Sequence, residues 1–276
     1  MTRPRIALTG TVTDCEVWLA DWLAHHLHVV EQIIVWIDDP AEMAFAESFA
    51  NDRVTVLAGQ QIAHASRLTQ TLTRQNANTD AAIQMAAMTG NDWLVHLDAD
   101  ELFVPLSEDV WDTDAGQLIF PNHEAVPIWD APRPLADMTR FRVNGRHRFL
   151  LYDNGKAALR LGSPPVGARA HGPHRFSGAE PVTSEAAAIL HYAVPGFALW
   201  WRKYARLGAF SDFWCEQPDA PIPASFHTRS RDLIRAAQRT GDKSECIAFY
   251  RQRMDATGEQ GLATVARDVS GQVRIL

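Results

Sequence analysis

Cysteine is scarce in this chain, with three in 276 residues, at positions 15, 215 and 246. An odd number without CxxC spacing points away from a disulfide framework and from a thiolate zinc site, and predicts a reducing, cytoplasmic setting. Missing too is any apolar run near the roughly 20 residues that a bilayer crossing needs, so membrane contact is expected to be peripheral. The opening, Met1 to Leu8, carries two arginines, but Thr9, Gly10, Thr11 and Thr13 break its apolar stretch and no small-residue cleavage pattern follows. It reads as a first strand, not a signal peptide. There is no internal repeat, low-complexity tract, clear linker or nucleic-acid-binding motif. With a net charge of −7, a nucleic-acid partner is not expected.

What the chain does have is 46% hydrophobic residues, enough to bury a substantial core, and a divided charge. Residues 1–138 hold 6 Lys/Arg against 21 Asp/Glu, and residues 139–276 hold 20 against 12. The basic bias peaks over 140–175, where Arg140, Arg142, Arg146, Arg148, Lys156, Arg160, Arg169 and Arg175 face only Asp153. Such a segment suits an anionic ligand such as a diphosphate. The plainer alternative is that these side chains pair with the acidic half.

The first 120 residues alternate between short apolar runs and amphipathic stretches. Ile6 to Leu8 reads as a strand, and Thr13-Asp14-Cys15-Glu16 fits a capping box before a helix with Trp18, Leu19, Trp22, Leu23 and Leu27 on its apolar face. A strand over Ile33 to Ile37 ends at Asp38-Asp39-Pro40, where proline stops the ladder. A short helix over 41–50, a strand over 54–57 and a longer helix from about Ser66 to Met88 lead to the apolar run Trp93 to Leu97. Four such alternations predict an α/β fold, with a mostly parallel, Rossmann-like central sheet flanked by helices. Gln117 to Phe120 reads as one more strand. Pro127, Pro132, Pro134, Pro164, Pro165 and Pro173 then punctuate an irregular α+β half, with helices near 196–208 and 229–240. One domain over 1–276 is expected, divided near residue 125.

Directly after the run Trp93 to Leu97 stands Asp98-Ala99-Asp100-Glu101. A buried strand in an open α/β sheet delivers its ligands at its carboxyl end, so these acids belong on the rim of the sheet. Asp38 and Asp39 end another strand on the same rim. Carboxylates so placed can hold a hard divalent cation. The plainer alternative is a turn or helix cap.

Asp98 to Phe103 after Trp93 to Leu97, preceded by Arg74, Gln75 and Asn78 on a helix, resembles the metal-binding DxD signature of GT-A glycosyltransferases, and most nearly their family 2 and family 92-like group. Trp18 to His26, Trp36 to Asp39, Asn154-Gly155-Lys156, Ala170-His171-Gly172-Pro173, and Ile189 to Tyr192 before an aromatic and basic helix with Lys203 are similar as well. Two stretches differ. Family members carry Asn-Glu after the first strand and a glycine before the second, where this chain reads Thr13-Asp14-Cys15-Glu16 and Val29-Val30.

The resemblance implies transfer of a sugar from a nucleotide-diphosphate donor to a glycan or lipid-linked acceptor, with Mn²⁺ or Mg²⁺ bound at Asp98 and Asp100. On that reading residues 1–125 form the nucleotide- and metal-binding half and 126–276 the acceptor side. Asp14, Asp38, Asp39, Arg74, Asp98, Lys156 and Arg160 are the expected donor-binding residues. Asp98 has a second option, reaching the ribose while Asp100 ligates directly. His171 or His191 is expected to complete the metal site, with His174 as an outside candidate, and Glu124 is the candidate general base. His25, His26 and His28 are expected to pack or lie at the surface. Trp200 to Arg206 suits a membrane surface, a sugar face or core packing. Two rivals stand beside this reading: an inactive sugar- or nucleotide-binding protein of the same fold, and a DxD phosphohydrolase in which the first acid is a nucleophile.

Overall fold

The computed structural model describes residues 3–63, 67–161, 167–210 and 225–276; Ser66, Pro164, Pro165 and Cys215 lie outside the described residues. The chain begins β1 (Ile6–Val12), α1 (Cys15–His26), β2 (Gln32–Ile37), a 3-10 turn (Pro40–Glu42), α2 (Met43–Glu47), β3 (Val54–Ala58), α3 (Arg67–Met88) and β4 (Trp93–His96). Strands β3, β2, β1 and β4 lie side by side in that order, all parallel. This is the βαβ arrangement the alternation predicts. Every residue of β1 is buried, because both faces of the sheet are covered. Ile6, Leu8, Ile33, Val35, Trp93 and Val95 pack in one layer with Trp18, Leu19, Trp22 and Leu23 of α1. Ala7, Ile34, Trp36 and Leu94 pack in the other with Ala82, Ile83 and Ala86 of α3.

After β4 the order changes. The elements that follow are β5 (Glu101–Pro105), β6 (Gln117–Phe120), β7 (Asn122–Ala125), α4 (Pro134–Asp137), β8 (Arg140–Arg142), β9 (Lys156–Arg160), β10 (Arg169–His171), β11 (Arg175–Ser177), β12 (Pro181–Thr183) and β13 (Ala187–His191). The chain ends with α5 (Phe197–Leu207), α6 (Ser225–Thr240), α7 (Ser244–Met254), β14 (Ala263–Arg267) and β15 (Val273–Ile275). Strand β9 enters the first sheet antiparallel to both β4 and β6, and β12 closes the edge beside β6. The seven-stranded sheet is therefore mixed: β9 runs against the other six strands, which share one direction. Strand β9 returns to the sheet through a loop against both of its neighbours, whereas β12 re-enters at the edge parallel to β6. A second sheet, in the order β15-β14-β8-β7-β13-β5, is largely antiparallel. Helices α5 to α7 pack together around Trp200, Tyr204, Phe226, Leu233, Ile234 and Tyr250.

The expected capping box at Thr13 does not form. Asp14 is the N-cap of α1 but has a left-handed backbone, φ 58°, and makes no capping bond with its side chain. The Cys15 N–H instead donates to Glu42 Oε1 at 3.2 Å. That frees the Asp14 carboxylate to turn outward.

His25 and His26 are core residues that tie three elements together. The Phe103 N–H donates to His26 Nε2 at 3.1 Å, while His25 Nε2 donates to the Phe103 carbonyl at 2.8 Å. The other ring nitrogens complete the set: His26 Nδ1 donates to the Trp22 carbonyl, and His25 Nδ1 accepts from the Val273 N–H. Each ring must donate once and accept once, so each must be neutral. Burial holds His26 well below the usual imidazole range and lowers His25 to about 4. An unfolded chain takes up protons at these rings near pH 6.5 and the folded chain does not, so folding stability present above that pH is lost as pH falls toward 4. The thermal midpoint should fall steadily between pH 6.5 and 4, and His26→Phe should flatten part of that slope while lowering the midpoint at pH 7.5.

Candidate functional site

The Asp98 to Glu101 turn joins the two sheets, since β4 ends in the first and β5 begins in the second. The backbone packs tightly there: a Cβ on Gly10 of β1 would lie 2.7 Å from the Leu97 carbonyl and 3.3 Å from the Trp22 ring. Glu101 folds back so that Oε2 accepts the Asp98 N–H at 2.8 Å. Lys156, fully buried at the start of β9, donates to Asp98 Oδ2 at 2.5 Å and lies 3.1 Å from Glu101 Oε2. Gln75 of α3 donates to Asp98 Oδ1 at 2.8 Å, and the Tyr152 hydroxyl donates to Glu101 Oε1. Both oxygens of Asp98 are thus engaged.

A glycine admits Lys156 to this position. Gly155 has φ 70°, and a Cβ there would come within 2.2 Å of the Phe120 carbonyl. Asn122 receives its N–H at 3.1 Å. The Asn154-Gly155-Lys156 stretch is therefore the tight entry into β9 that carries a cation beneath the acids.

These contacts set the protonation of the motif. Burial alone would raise the Asp98 carboxyl, but the Lys156 ammonium against it reverses that and holds it well below the usual range. Burial pushes Glu101 up to about 8, with Lys156 pulling the other way. Asp100 is also raised by burial, with Lys203 opposing. Burial and then the Lys156 charge lower His96 to about 4 and His174 to about 3, while burial and Lys203 hold His191 far down. Three neutral imidazoles therefore surround the acids.

Above this layer lies a cleft of about 450 Å³ at the carboxyl ends of β1, β2 and β4. Asp14, Asp38, Asp39, Arg74, Asp98, Asp100, His174 and His191 all line it, so residues from distant parts of the sequence do share one crevice. Arg74 pairs with Asp38 at 3.1 Å, and Asp39 receives the Ala41 N–H at 3.0 Å. The opposite wall is α5. Its Lys203 lies 3.5 Å from Asp100 Oδ2, its Arg206 donates to Asp14 Oδ2 at 2.9 Å, and its Arg202 lies 3.4 Å from Asp14 Oδ1.

Other expected site residues lie elsewhere. Glu124 is buried on β7, outside the cleft lining, where its carboxylate accepts the N–H groups of Leu150 and Leu151 and sits 3.7 Å from Arg142. It braces the loop that presents Leu151 and Tyr152. Arg160 pairs in register with Trp93, at the far end of β4 from Asp98, and donates to the Thr113 carbonyl. His171 is exposed at the tip of the β10–β11 hairpin and does not line the cleft. Lys156 reaches the motif from below as a buried counter-ion, not from the cleft. Tyr152 takes a position at the site that no motif singled out, and Lys203 and Arg206, on the aromatic and basic helix already noted, were given no role there. For Lys203 and Arg206 the available signal was their spacing on a basic helix, three residues apart.

Among the described residues no group of three or more His, Cys, Asp or Glu side chains gathers as a cation cage. Two do approach one another: His191 Nε2 is 3.9 Å from Asp100 Oδ2, and His191 Nδ1 is buried without a hydrogen-bond partner. A carboxylate and a neutral imidazole facing an open cleft suit a divalent cation that takes its other ligands from phosphate and water.

The architecture and site define an α/β protein with an acidic rim cleft closed by a basic helix. No family model matches the chain. It is similar to two Arabidopsis thaliana proteins described as glycosyltransferase-like. One is 28% identical over 218 residues, covering 68% of this chain and 41% of the relative. The other is 28% identical over 231 residues, covering 70% and 48%. The chain spans less than half the length of these relatives. Among solved structures, 4-diphosphocytidyl-2C-methyl-D-erythritol synthase from Anaerococcus prevotii overlaps 58% of this chain and 71% of its own at TM-score 0.31 and 12% identity. Inositol-1-phosphate CTP transferase from T. maritima overlaps 69% and 86% at TM-score 0.32 and 9% identity. Overlaps this slight carry no argument.

Removing one partner of a buried ion pair leaves the others uncompensated, at a cost of about 3–5 kcal/mol. Lys156→Met should therefore lower the urea-unfolding free energy by about that much, whereas Arg160→Ala, on a partly exposed side chain, should cost about 1 kcal/mol or less.

Proposed function

We propose that the chain transfers a sugar from a nucleotide-diphosphate donor to a hydroxyl on a glycan or lipid-linked acceptor, with Mn²⁺ or Mg²⁺ as cofactor. What carries this is the meeting, in one cleft, of Asp98 and Asp100 from the first half with Lys203 and Arg206 from the second. Asp100 suits a cation, Asp98 fixes the turn that presents it, and the bases suit the diphosphate beside it.

In the transfer, the acceptor oxygen bonds to the anomeric carbon as the bond from that carbon to the diphosphate breaks. The nucleotide diphosphate leaves with the electron pair, and the hydroxyl proton passes to solvent. Charge grows on the leaving group as the sugar becomes oxocarbenium-like. Asp100 and His191 are the residues that would hold the cation. Bound there, it supplies Lewis-acid neutralisation of the diphosphate. Lys203 and Arg206 add fixed positive charge on the same side. Asp98, locked by Gln75 and Lys156, stiffens the motif and faces the nucleoside end of the cleft with Asp14, Asp38, Asp39 and Arg74. A phosphohydrolase reading asks Asp98 to be a free nucleophile, and both of its oxygens are already bonded.

Among the described residues no helix is long and apolar enough to cross a membrane. A cytoplasmic location, with peripheral contact at the inner membrane face, belongs to the same proposal.

Titration calorimetry with UDP and GDP should show binding that needs Mn²⁺ or Mg²⁺ and is lost in Asp100→Asn. Lys203→Met should weaken it by roughly ten- to a hundredfold, the worth of a hydrogen bond to a charged group. Absence of binding by any nucleoside diphosphate sinks the proposal. Binding without turnover of any nucleotide-sugar makes the chain an inactive binding protein instead.

A further inference from the structure

We infer that the acceptor carries an aliphatic, lipid-like body next to its reactive hydroxyl, an assignment that rests on the transferase reading above. Leu72, Leu151, Leu199 and Leu207 line the same cleft as Asp98 and Asp100, and each is half-buried. Each also lies a fixed step from a polar side chain already anchored at the acids. Leu72 is three residues before Gln75 on α3, and Leu151 adjoins Tyr152. Leu199 and Leu207 stand four residues to either side of Lys203 on α5. Residues three or four apart share a helix face, so the contacts that fix Gln75 and Lys203 on the acids fix the leucines beside them.

The wall these leucines form is aliphatic. A bare sugar face is better met by an open aromatic ring, and the rings nearby are taken. Tyr152 packs against His191 and His174 with centroids 4.5 and 4.3 Å away. Trp18, which lines the cleft, is 7% exposed and packs in the core beneath it, Trp200 is 1% exposed, and the Lys243 ammonium covers Trp201 at 4.4 Å. Part-exposed leucine surface inside a cleft gains most from a ligand that removes it from water, and aliphatic chain does so in proportion to the area covered.

Linear alcohols test this without requiring the acceptor's sugar, since they offer only a hydroxyl and a chain. In calorimetric titrations of the full chain from ethanol to 1-octanol, affinity should rise roughly fourfold per methylene, with a negative heat-capacity change. The double variant Leu151→Ser with Leu199→Ser should lose that slope while keeping metal-dependent nucleotide binding. Leu151→Ser alone, on a loop, is the substitute if the double variant fails to fold. A flat affinity series, or a slope unchanged in the variants, overturns the assignment and leaves a polar glycan acceptor. Loss of nucleotide binding in the wild-type chain is a separate result, which removes the transferase reading whatever the alcohols do.

Discussion

A single buried ammonium holds the two sheets in register at the site. Lys156 arrives on β9 of the first sheet and meets Glu101 at the start of β5 in the second, with Asp98 between them on the turn. Three carboxylates within four residues, one fully buried and two part-buried, would repel one another and carry a desolvation cost of several kcal/mol per buried ion without a fixed cation. The geometry around Lys156 is correspondingly complete. Gly155 permits the tight approach, Asn122 receives its N–H, and Gln75 and Tyr152 take up carboxylate oxygens that Lys156 does not reach. Asp100 stays available because its two neighbours are neutralised from below.

The same logic explains the divided charge of the sequence. Asp21 pairs with Arg133, Glu124 with Arg142, Asp98 and Glu101 with Lys156, Asp100 with Lys203, and Asp14 with Arg202 and Arg206. Four of these five sets join the acidic first half to the basic second half. Part of the basic excess over 140–175 is therefore structural, as the plainer alternative had it: Arg142 and Lys156 are bound to acids within the protein. The second-half cations that face the cleft come from further along, on α5, and join Arg74 of α3 there.

The first sheet was legible because its strands are buried on both faces and read as unbroken apolar runs, and because α1 and α3 repeat their apolar residues at helical spacing. Position along those strands was enough to gather Asp38, Asp39, Asp98 and Asp100 at one rim. Of the later strands Gln117 to Phe120 was legible as an apolar run; most of the others are three to five residues long and set by tertiary pairing, so periodicity does not announce them. Strand β5 hides inside the motif itself, where Glu101 to Pro105 continues the apolar run after the acids. For Lys156, Arg160 and Glu124 residue type suggested chemistry, but depth decides their roles, and depth depends on pairings such as β4 with β9 that local sequence does not encode. The Thr13 capping box failed for a related reason. Glu42, 27 residues away from Cys15, supplies the carboxylate that a local reading assigned to the box.

That failure bears on the first-strand segment in which this chain departs from the family it resembles. Asp14 alone among the described non-glycine residues has a positive φ, a conformation that persists only where surrounding contacts hold it. Those contacts are Arg202 and Arg206, on the helix that closes the cleft. A diphosphate beside Asp100 would compete with Asp14 for Arg206. Both partners are part-exposed, at 30% and 21%, where such a pair is worth about 0–1 kcal/mol. Exchanging a carboxylate for a phosphate on Arg206 therefore costs little. Asp14 is thus a weak, exchangeable tie between the start of α1 and α5, the helix that also carries Lys203 to Asp100.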